Sequence, residues 1–186
     1  NFKLLIKISL ATEVTLFLYL MFKEGIESRY QKPEVLVFTF AATSILLLGT
    51  YFFRTSLTSD IQQKGAILPL LVGLFQGFAI MPGISRSGAT IASMFFLRVK
   101  KKEAAYYSFF LAIPAILGAL VFKIAELEST SFLRDNLILL IISFIVSAWF
   151  SYLFLRLLVF LLDKGRFWAF GIYTCVASLG SFFLFY

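Results

Sequence analysis

Long apolar runs separated by short polar connectors set the pattern of this sequence. The six runs cover residues 4–22, 35–53, 65–99, 104–125, 137–162 and 167–186. Several of them reach the roughly 20 residues that a helix needs to cross the hydrocarbon core of a bilayer. The alternating segments of about 10 residues that are typical of outer-membrane barrels are not seen. The pattern predicts an all-α polytopic membrane helix bundle that forms a single domain over residues 1–186.

The third run differs from the others because it is too long for one crossing and is interrupted near its middle. Pro82 and Gly83 stand at the interruption, and proline ends or kinks a helix. We expect residues 65–99 to form a re-entrant helical hairpin that enters the membrane and returns to the same side. Non-helical backbone at membrane depth persists only where protein or a water-filled cavity surrounds it. The interruption should therefore line a site.

Composition and charge support a membrane protein rather than a nucleic-acid-binding one. The chain is 60% hydrophobic and 18% aromatic, and its net charge of +7 comes from cations that collect between the apolar runs. On the hairpin interpretation one face, expected to be cytoplasmic, carries Arg54, Lys64, Arg98, Lys100, Lys101, Lys102, Lys164 and Arg166. The opposite face carries Lys23, Arg29, Lys32 and Arg134. A single crossing by residues 65–99 would make the asymmetry stronger still, so charge alone does not decide between the two topologies.

The strongest candidate chemistry lies at the interruption, in the sequence PGISRSGAT (residues 82–90). An arginine at membrane depth costs roughly 2.5 to 3.5 kcal/mol on insertion scales, which makes Arg86 a functional-site hypothesis. Its planar guanidinium can grip phosphate oxygens through two donors at once, as a lysine cannot. We expect Arg86 to bind a phosphate or diphosphate, most simply the headgroup of a lipid.

The neighbours of the arginine favour the same chemistry. Gly83 and Gly88 allow close approach of the backbone, and Ser87 is expected to cap the helix that follows. The free N–H groups of that helix end suit an anion, and Ser85, Ser87 and Thr90 add hydroxyl donors. The predicted phosphate-binding residues are Gly83, Ser85, Ser87, Gly88 and Thr90, with Arg86 as the catalytic residue.

A structural explanation for Arg86 competes with this one. The guanidinium could pair with a buried carboxylate or extend to the surface, with the serines serving only helix packing. Glu13 and Lys7 lie in the first apolar run and do not share a helix face, and an intramembrane carboxylate such as Glu13 can be a proton carrier or an arginine partner. With no histidine and one cysteine, the chain offers neither an internal disulfide nor the ligands of a zinc site.

Two stretches carry a resemblance to a known family. GLFQGFAIMPGISRSGATI (residues 73–91) and KKEAAYYSFFLAIPAILGA (residues 101–119) resemble the undecaprenyl-diphosphate phosphatases, also called bacitracin-resistance proteins. FGIYT (residues 170–174) is similar to that family's closing motif. The resemblance implies a multi-pass hydrolase of the bacterial inner membrane that removes the terminal phosphate from the C55 isoprenyl diphosphate carrier and returns it to cell-wall synthesis.

The resemblance also implies that Arg86 is the family's essential arginine, with Ser85, Ser87 and Thr90 as its associated hydroxyls. The family's first signature, a glutamate-rich helix followed by Pro-x-Ser-Ser-x-Gly-His, has no match here. The chain begins at Asn1 without the features of a signal peptide, and two of its apolar segments are weakly similar to each other. We therefore expect an inverted repeat truncated at its N-terminus.

A polyprenyl-phosphate transporter or an inactive lipid-diphosphate-binding homologue is the alternative function. A divalent cation, Mg²⁺ or Ca²⁺, and a homo-oligomer are compatible with this function, although no carboxylate cluster is present for the metal.

Overall fold

Helices make up the structure, a computed structural model that describes residues 2–30, 32–125 and 136–185, without the side chains of residues 26–30. In chain order the α-helices are α1 (Phe2–Tyr30), α2 (Val35–Gly49), α3 (Ile67–Phe78), α4 (Arg86–Phe96), α5 (Lys101–Ala125), α6 (Leu137–Asp163) and α7 (Ala169–Phe185). Short 3₁₀ turns follow α2 and precede α3, at Thr50–Phe53 and Ile61–Lys64. The all-α prediction is confirmed.

Among the described residues, four helical stretches are long and apolar enough to cross a membrane. They are Phe2–Gly25, Val35–Phe53, Lys101–Ala125 and Leu137–Asp163. Of the residues of α6, Leu162 alone is buried, so nearly the whole surface of this apolar helix faces away from the rest of the described chain. A helix that is apolar on all sides is suited to lipid. The chain is a multi-pass membrane protein, as its apolar runs predict.

The third apolar run forms a helical hairpin, and its re-entry into the membrane stays a prediction. Helices α3 and α4 have 12 and 11 residues, about 18 and 17 Å in length, and neither can cross a core of about 30 Å. Their outer ends meet, because the Ser59 N–H donates to the Arg98 carbonyl at 2.9 Å and the Lys100 N–H donates to the Ser59 carbonyl at 3.0 Å. The segment therefore leaves and returns at one end of the bundle.

That end holds most of the cations that the sequence predicts to share a face, and we call it the basic end. Arg54, Lys101 and Gly165 line one cleft there, which brings three connectors together. The Lys100 ammonium also pairs with the Asp60 carboxylate at 2.5 Å. Of the cations predicted for the opposite face, Arg134 and the Arg29 side chain lie outside the described part of the chain. The cytoplasmic orientation of the basic end stays a prediction.

Small residues bring the helices into close contact around the hairpin. Helix α1 packs on α3 so tightly that a Cβ at Gly73 would lie 2.7 Å from the Ala11 carbonyl oxygen. Helix α7 packs on α2 in the same way, and the Ser44 hydroxyl donates to the Gly171 carbonyl at 2.8 Å. Close approach through small residues is the usual way in which membrane helices associate. These contacts fix α1 against the first arm of the hairpin and α7 against α2.

Candidate active site

Helix α2 holds the loop between α3 and α4 in place. Gly83 has φ +88°, and a Cβ at this position would collide with the Thr39 hydroxyl, so glycine is required for two reasons. The Thr43 hydroxyl donates to the Gly83 carbonyl at 3.1 Å and accepts from the Ser85 N–H at 3.3 Å. Pro82, which lacks an N–H, stands next to this turn. The interruption is therefore a fixed structure that sets where α4 begins.

Ser85, rather than Ser87, caps α4. Its backbone is extended, with φ −69° and ψ 112°, and its hydroxyl oxygen accepts from the Gly88 N–H at 3.1 Å. The predicted cap at Ser87 is wrong because the helix already begins at Arg86, which puts Ser87 inside the first turn. A Cβ at residue 88 would lie 2.8 Å from the Ser85 hydroxyl oxygen, so the cap needs the small Gly88.

The first turn of α4 presents unused donors. The N–H groups of Arg86 and Ser87 are the first two of the helix and have no acceptor within the described residues. The Ser87 hydroxyl makes no hydrogen bond there either, and the Ser85 hydroxyl proton is free because its oxygen acts only as an acceptor. This combination of N–H groups, hydroxyls and the positive end of a helix dipole favours an anion.

The Arg86 guanidinium is held by uncharged acceptors. Its Nε and Nη2 donate to the Gln76 side-chain oxygen at 3.1 and 2.7 Å, and Nη2 also donates to the Leu111 carbonyl at 2.8 Å. Nη1 makes a longer contact of 3.4 Å with the Ala112 carbonyl. No carboxylate pairs with Arg86 in the part of the chain that the structure describes. The positive charge therefore remains available to an anionic ligand, and Nη1 is its least engaged nitrogen.

The two charged residues of the first apolar run, Glu13 and Lys7, lie away from this arginine. Glu13 is exposed on α1. Lys7 lies nearer the basic end, where its ammonium donates to the Ile61 carbonyl. The alternative that Arg86 pairs with Glu13 is wrong, because Glu13 is exposed and the Arg86 donors go to Gln76 and to two α5 carbonyls instead. Lys7 instead ties α1 to the connector that precedes the hairpin.

Arg86 lies near mid-depth in the bundle. It contacts α5 at Leu111, 10 residues after the helix begins at Lys101, which corresponds to about 15 Å. Through Gln76 it reaches Thr15, which lies near the middle of the membrane-crossing part of α1. The Arg86 side chain is half-buried rather than exposed. The location expected from the apolar surroundings of PGISRSGAT is thus the one observed.

Gln76 is the main residue of this site that sequence analysis missed. Its side chain is 2% exposed, its oxygen accepts two donors from Arg86, and its amide nitrogen donates to the Thr15 hydroxyl at 2.9 Å. Thr15 in turn donates to the Ala11 carbonyl at 2.9 Å, so the buried oxygen of Gln76 and the Thr15 hydroxyl both have partners. Gln76 is the polar side chain in an otherwise apolar α3, and that isolation is the signal that could have identified it.

Pro114 lies close in sequence to the α5 carbonyls that accept from Arg86. A proline within a helix has no N–H for the carbonyl four residues earlier, here Phe110, and its ring opens that turn. The Leu111 and Ala112 carbonyls next to this opening receive the guanidinium. Sequence analysis also missed this contribution, because it requires the knowledge that α5 faces the N-terminus of α4.

Thr90 is turned away from the first turn of α4. Its hydroxyl is within 2.7 Å of the Ser108 hydroxyl on α5 and donates to the Arg86 carbonyl at 3.0 Å. The residue is 1% exposed. This geometry favours a packing contact between α4 and α5, so the predicted phosphate-binding role of Thr90 stays a prediction that these contacts do not support. The described residues hold no group of three or more carboxylate, thiol or imidazole side chains suited to a metal ion.

Comparison with known proteins gives a family match over nearly the whole chain. The family model described as "Bacitracin resistance protein BacA" matches residues 1–180. An undecaprenyl-diphosphatase from Desulfatibacillum aliphaticivorans is 34% identical over 173 residues, covering 89% of this chain and 59% of the relative. One from Methanococcus maripaludis is 33% identical, covering 92% and 66%. Undecaprenyl-diphosphatase 2 from Halalkalibacterium halodurans is 32% identical, covering 100% and 67%. The chain thus spans roughly three fifths to two thirds of the length of these relatives.

Proposed function

The chain belongs to the bacitracin resistance protein BacA family, and from that membership and the site geometry we propose that it hydrolyses undecaprenyl diphosphate to undecaprenyl phosphate and phosphate. The observation that carries this proposal is Arg86, a guanidinium at mid-depth whose charge no described carboxylate neutralises. A lipid diphosphate brings the matching negative charge to that depth while its isoprenyl tail lies along apolar helices. By family resemblance the protein resides in the bacterial inner membrane, where the product returns to cell-wall synthesis.

The first turn of α4 would receive the terminal phosphate. The N–H groups of Arg86 and Ser87 and the hydroxyls of Ser85 and Ser87 are the donors of this turn. Arg86 Nη1, whose described contact is a long one with the Ala112 carbonyl, would turn to the phosphate as the charged donor. As the anhydride bond breaks, negative charge grows on the oxygens of the transferred phosphoryl group and on the bridging oxygen. Donors that are already in position stabilise this charge without reorganisation, and one such donor is typically worth about 10²- to 10³-fold in rate.

These serines act in binding rather than as nucleophiles. A serine hydroxyl needs an adjacent base to attack phosphorus, and no described side chain accepts a proton from Ser85 or Ser87. The proposal therefore gives Arg86 and the two serine hydroxyls the roles of stabilising charge and orienting the phosphate. The attacking oxygen and its base are left to groups other than these two hydroxyls.

A transporter of polyprenyl phosphate is the second candidate, because re-entrant helices at mid-depth are also typical of transporters. The two functions differ in whether an anhydride bond is broken. We would incubate the purified protein in liposomes with undecaprenyl diphosphate and follow both free phosphate and movement of the lipid between leaflets. Hydrolysis predicts one phosphate per lipid consumed, whereas movement of intact lipid without phosphate release would replace the proposal with the transporter.

A further inference from the structure

A second group of hydrogen-bond donors lies at the basic end, away from the site at Arg86. Arg54, Lys101 and Trp168 line a shallow cleft at the surface of this end. Phe95 at the far end of α4 lines it too, and nine residues of helix separate Phe95 from Arg86, which corresponds to about 14 Å. This cleft is therefore distinct from the proposed active site.

The indole N–H of Trp168 lacks a partner. Its Nε1 is buried, and no acceptor lies within hydrogen-bond distance of it in the described chain. A buried donor without an acceptor costs roughly 1 to 3 kcal/mol, so native structures nearly always supply one. A bound group that brings an acceptor oxygen would remove this cost.

The two cations of the cleft are held in place without an acidic partner. The Arg54 guanidinium stacks 3.8 Å above the centre of the Tyr51 ring and donates to its hydroxyl at 3.1 Å. The Tyr51 ring meets Trp168 edge to face, with 5.5 Å between ring centres. The Lys101 ammonium lies so close to Gly165, which has φ +68°, that a Cβ there would be 3.2 Å away. Neither cation forms an ion pair in the described residues.

The neighbouring helix ends do not need these cations. At the end of α6 the carbonyls of Phe160, Leu161 and Leu162 already accept from the N–H groups of Lys164, Arg166 and Gly165. At the end of α2 the Leu47 carbonyl accepts from the Thr50 hydroxyl at 2.6 Å. Satisfying orphan carbonyls, the usual structural role of cations at helix ends, is thus already accomplished by other groups.

We propose that Arg54, Lys101 and Trp168 bind the phosphate of an anionic phospholipid at the basic end of the bundle. Two cations and one neutral donor match a phosphodiester oxygen pair, and tryptophan and arginine both favour the level of the headgroups. A lipid is the preferred source because the cleft lies where membrane-crossing helices α2, α5 and α6 end, and their apolar surfaces would receive its acyl chains. This inference does not depend on the reaction at Arg86.

The test uses the fluorescence of Trp168. Trp149→Phe, at an exposed position of α6, leaves Trp168 as the single tryptophan of the chain. This variant is reconstituted in phosphatidylcholine vesicles that contain increasing fractions of phosphatidylglycerol. Two series are prepared, one with brominated phosphatidylglycerol and one with brominated phosphatidylcholine, because brominated chains quench the fluorescence of nearby indoles. The ratio of Trp168 quenching in the two series gives the preference for the anionic lipid.

We expect a preference of at least about fivefold for phosphatidylglycerol, which is the effect of one basic residue near an anionic membrane. Arg54→Gln and Lys101→Gln should each lower it, and together they should bring it to about one, whereas Lys102→Gln, an exposed lysine outside the cleft, should leave it unchanged. Equal quenching by both lipids in the parent, or an equal loss in Lys102→Gln, would overturn the proposal. Displacement of the brominated lipid by millimolar inorganic phosphate would reassign the cleft to a soluble anion and overturn the lipid assignment.

Discussion

The Arg86 guanidinium and the Gln76 side-chain oxygen form a two-donor contact at mid-depth in the bundle, with Nε at 3.1 Å and Nη2 at 2.7 Å. This contact joins the two arms of the hairpin, because Gln76 lies on α3 and Arg86 begins α4. It orients the guanidinium without neutralising it. A neutral acceptor at this position is therefore what allows Arg86 to be both buried and available to a phosphate.

Replacing Gln76 tests this positioning role. Gln76→Leu removes the acceptor of two Arg86 donors, and we expect kcat for phosphate release to fall about 10- to 100-fold, the equivalent of one unsatisfied buried donor. Gln76→Glu is the matched variant, since it keeps the acceptor but neutralises the charge, and it should both raise KM and lower kcat. Steady-state kinetics of both variants separate the two effects. A Gln76→Leu protein with the parent's kcat would show that the contact does not position the arginine.

The turn at Gly83 should tolerate no side chain. We expect Gly83→Ala to lower the free energy of unfolding by about 2 to 4 kcal/mol, because a residue with a Cβ is strained at φ +88° and would also meet the Thr39 hydroxyl. Unfolding in mixed micelles measures this change.

Two further variants separate its causes. Combining Gly83→Ala with Thr39→Ala removes the hydroxyl and should recover part of the loss. Gly118→Ala, in open space on α5, serves as the control and should leave stability unchanged or gain up to about 1 kcal/mol. Equal stability of Gly83→Ala and the parent would mean that the turn differs from the one described here.

Ser85 and Ser87 should separate stability from binding. Ser85→Ala removes the hydroxyl that caps α4 and should cost about 1 kcal/mol of stability. Ser87→Ala removes a hydroxyl that has no partner in the described residues, so stability should change by less than about 0.5 kcal/mol while KM for undecaprenyl diphosphate rises. Thermal unfolding and steady-state kinetics of the two variants check this pair. A loss of stability in Ser87→Ala and not in Ser85→Ala would show that Ser87 caps the helix.

The ion pair at the base of the hairpin gives a pH dependence. The Lys100 ammonium, chiefly through its hydrogen bond, holds the pKa of Asp60 below its ordinary value, and Asp60 raises the pKa of Lys100. A lowered carboxyl pKa stabilises the fold above the unfolded-state value and loses this effect as pH falls through the folded-state value. The raised Lys100 pKa sets the alkaline limit, because its contribution disappears as pH rises through the folded-state value.

We therefore expect Asp60→Asn to lower the unfolding temperature slightly and equally between about pH 6 and 8, with the difference vanishing as pH falls below the ordinary range of a carboxyl group. The effect is small because both side chains are largely exposed. Asp163→Asn, an exposed carboxylate without an ion pair in the described chain, should show no such difference at any pH. A difference for Asp60→Asn that grows toward acid would contradict the assigned sign.

The fold could be predicted from sequence because membrane burial leaves a strong local signal. Long apolar runs marked the crossing helices, and Pro82–Gly83 marked the place where the third run turns back. The two arms could be recognised as a hairpin only from structure, because charge counting left a single crossing open. The hydrogen bonds of Ser59 with Arg98 and Lys100 decide that question.

The site was predictable only where its residues are adjacent in sequence. The start of α4 contains three consecutive residues of the site, Ser85, Arg86 and Ser87. Their side chains alone indicate an anion-binding site, so it could be predicted from the sequence. Gln76, Thr15 and the Leu111 carbonyl come from three other helices, and nothing local indicates that they meet. The helix cap was predicted at Ser87 and lies at Ser85 for a similar reason. The residue at which α4 begins depends on the path of the loop before it, and Thr43 on α2 sets that path.

Arg86 itself provides the most direct test of the central claim, that a guanidinium left unneutralised at mid-depth stabilises the reacting diphosphate. The measurement is release of phosphate from undecaprenyl diphosphate by the parent, Arg86→Ala and Arg86→Lys, with unfolding midpoints recorded for all three. We predict that Arg86→Ala loses at least about 10²- to 10³-fold in kcat and that Arg86→Lys recovers little, because an ammonium lacks the planar fork. A folded Arg86→Ala protein that releases phosphate within a few-fold of the parent rate would contradict the account.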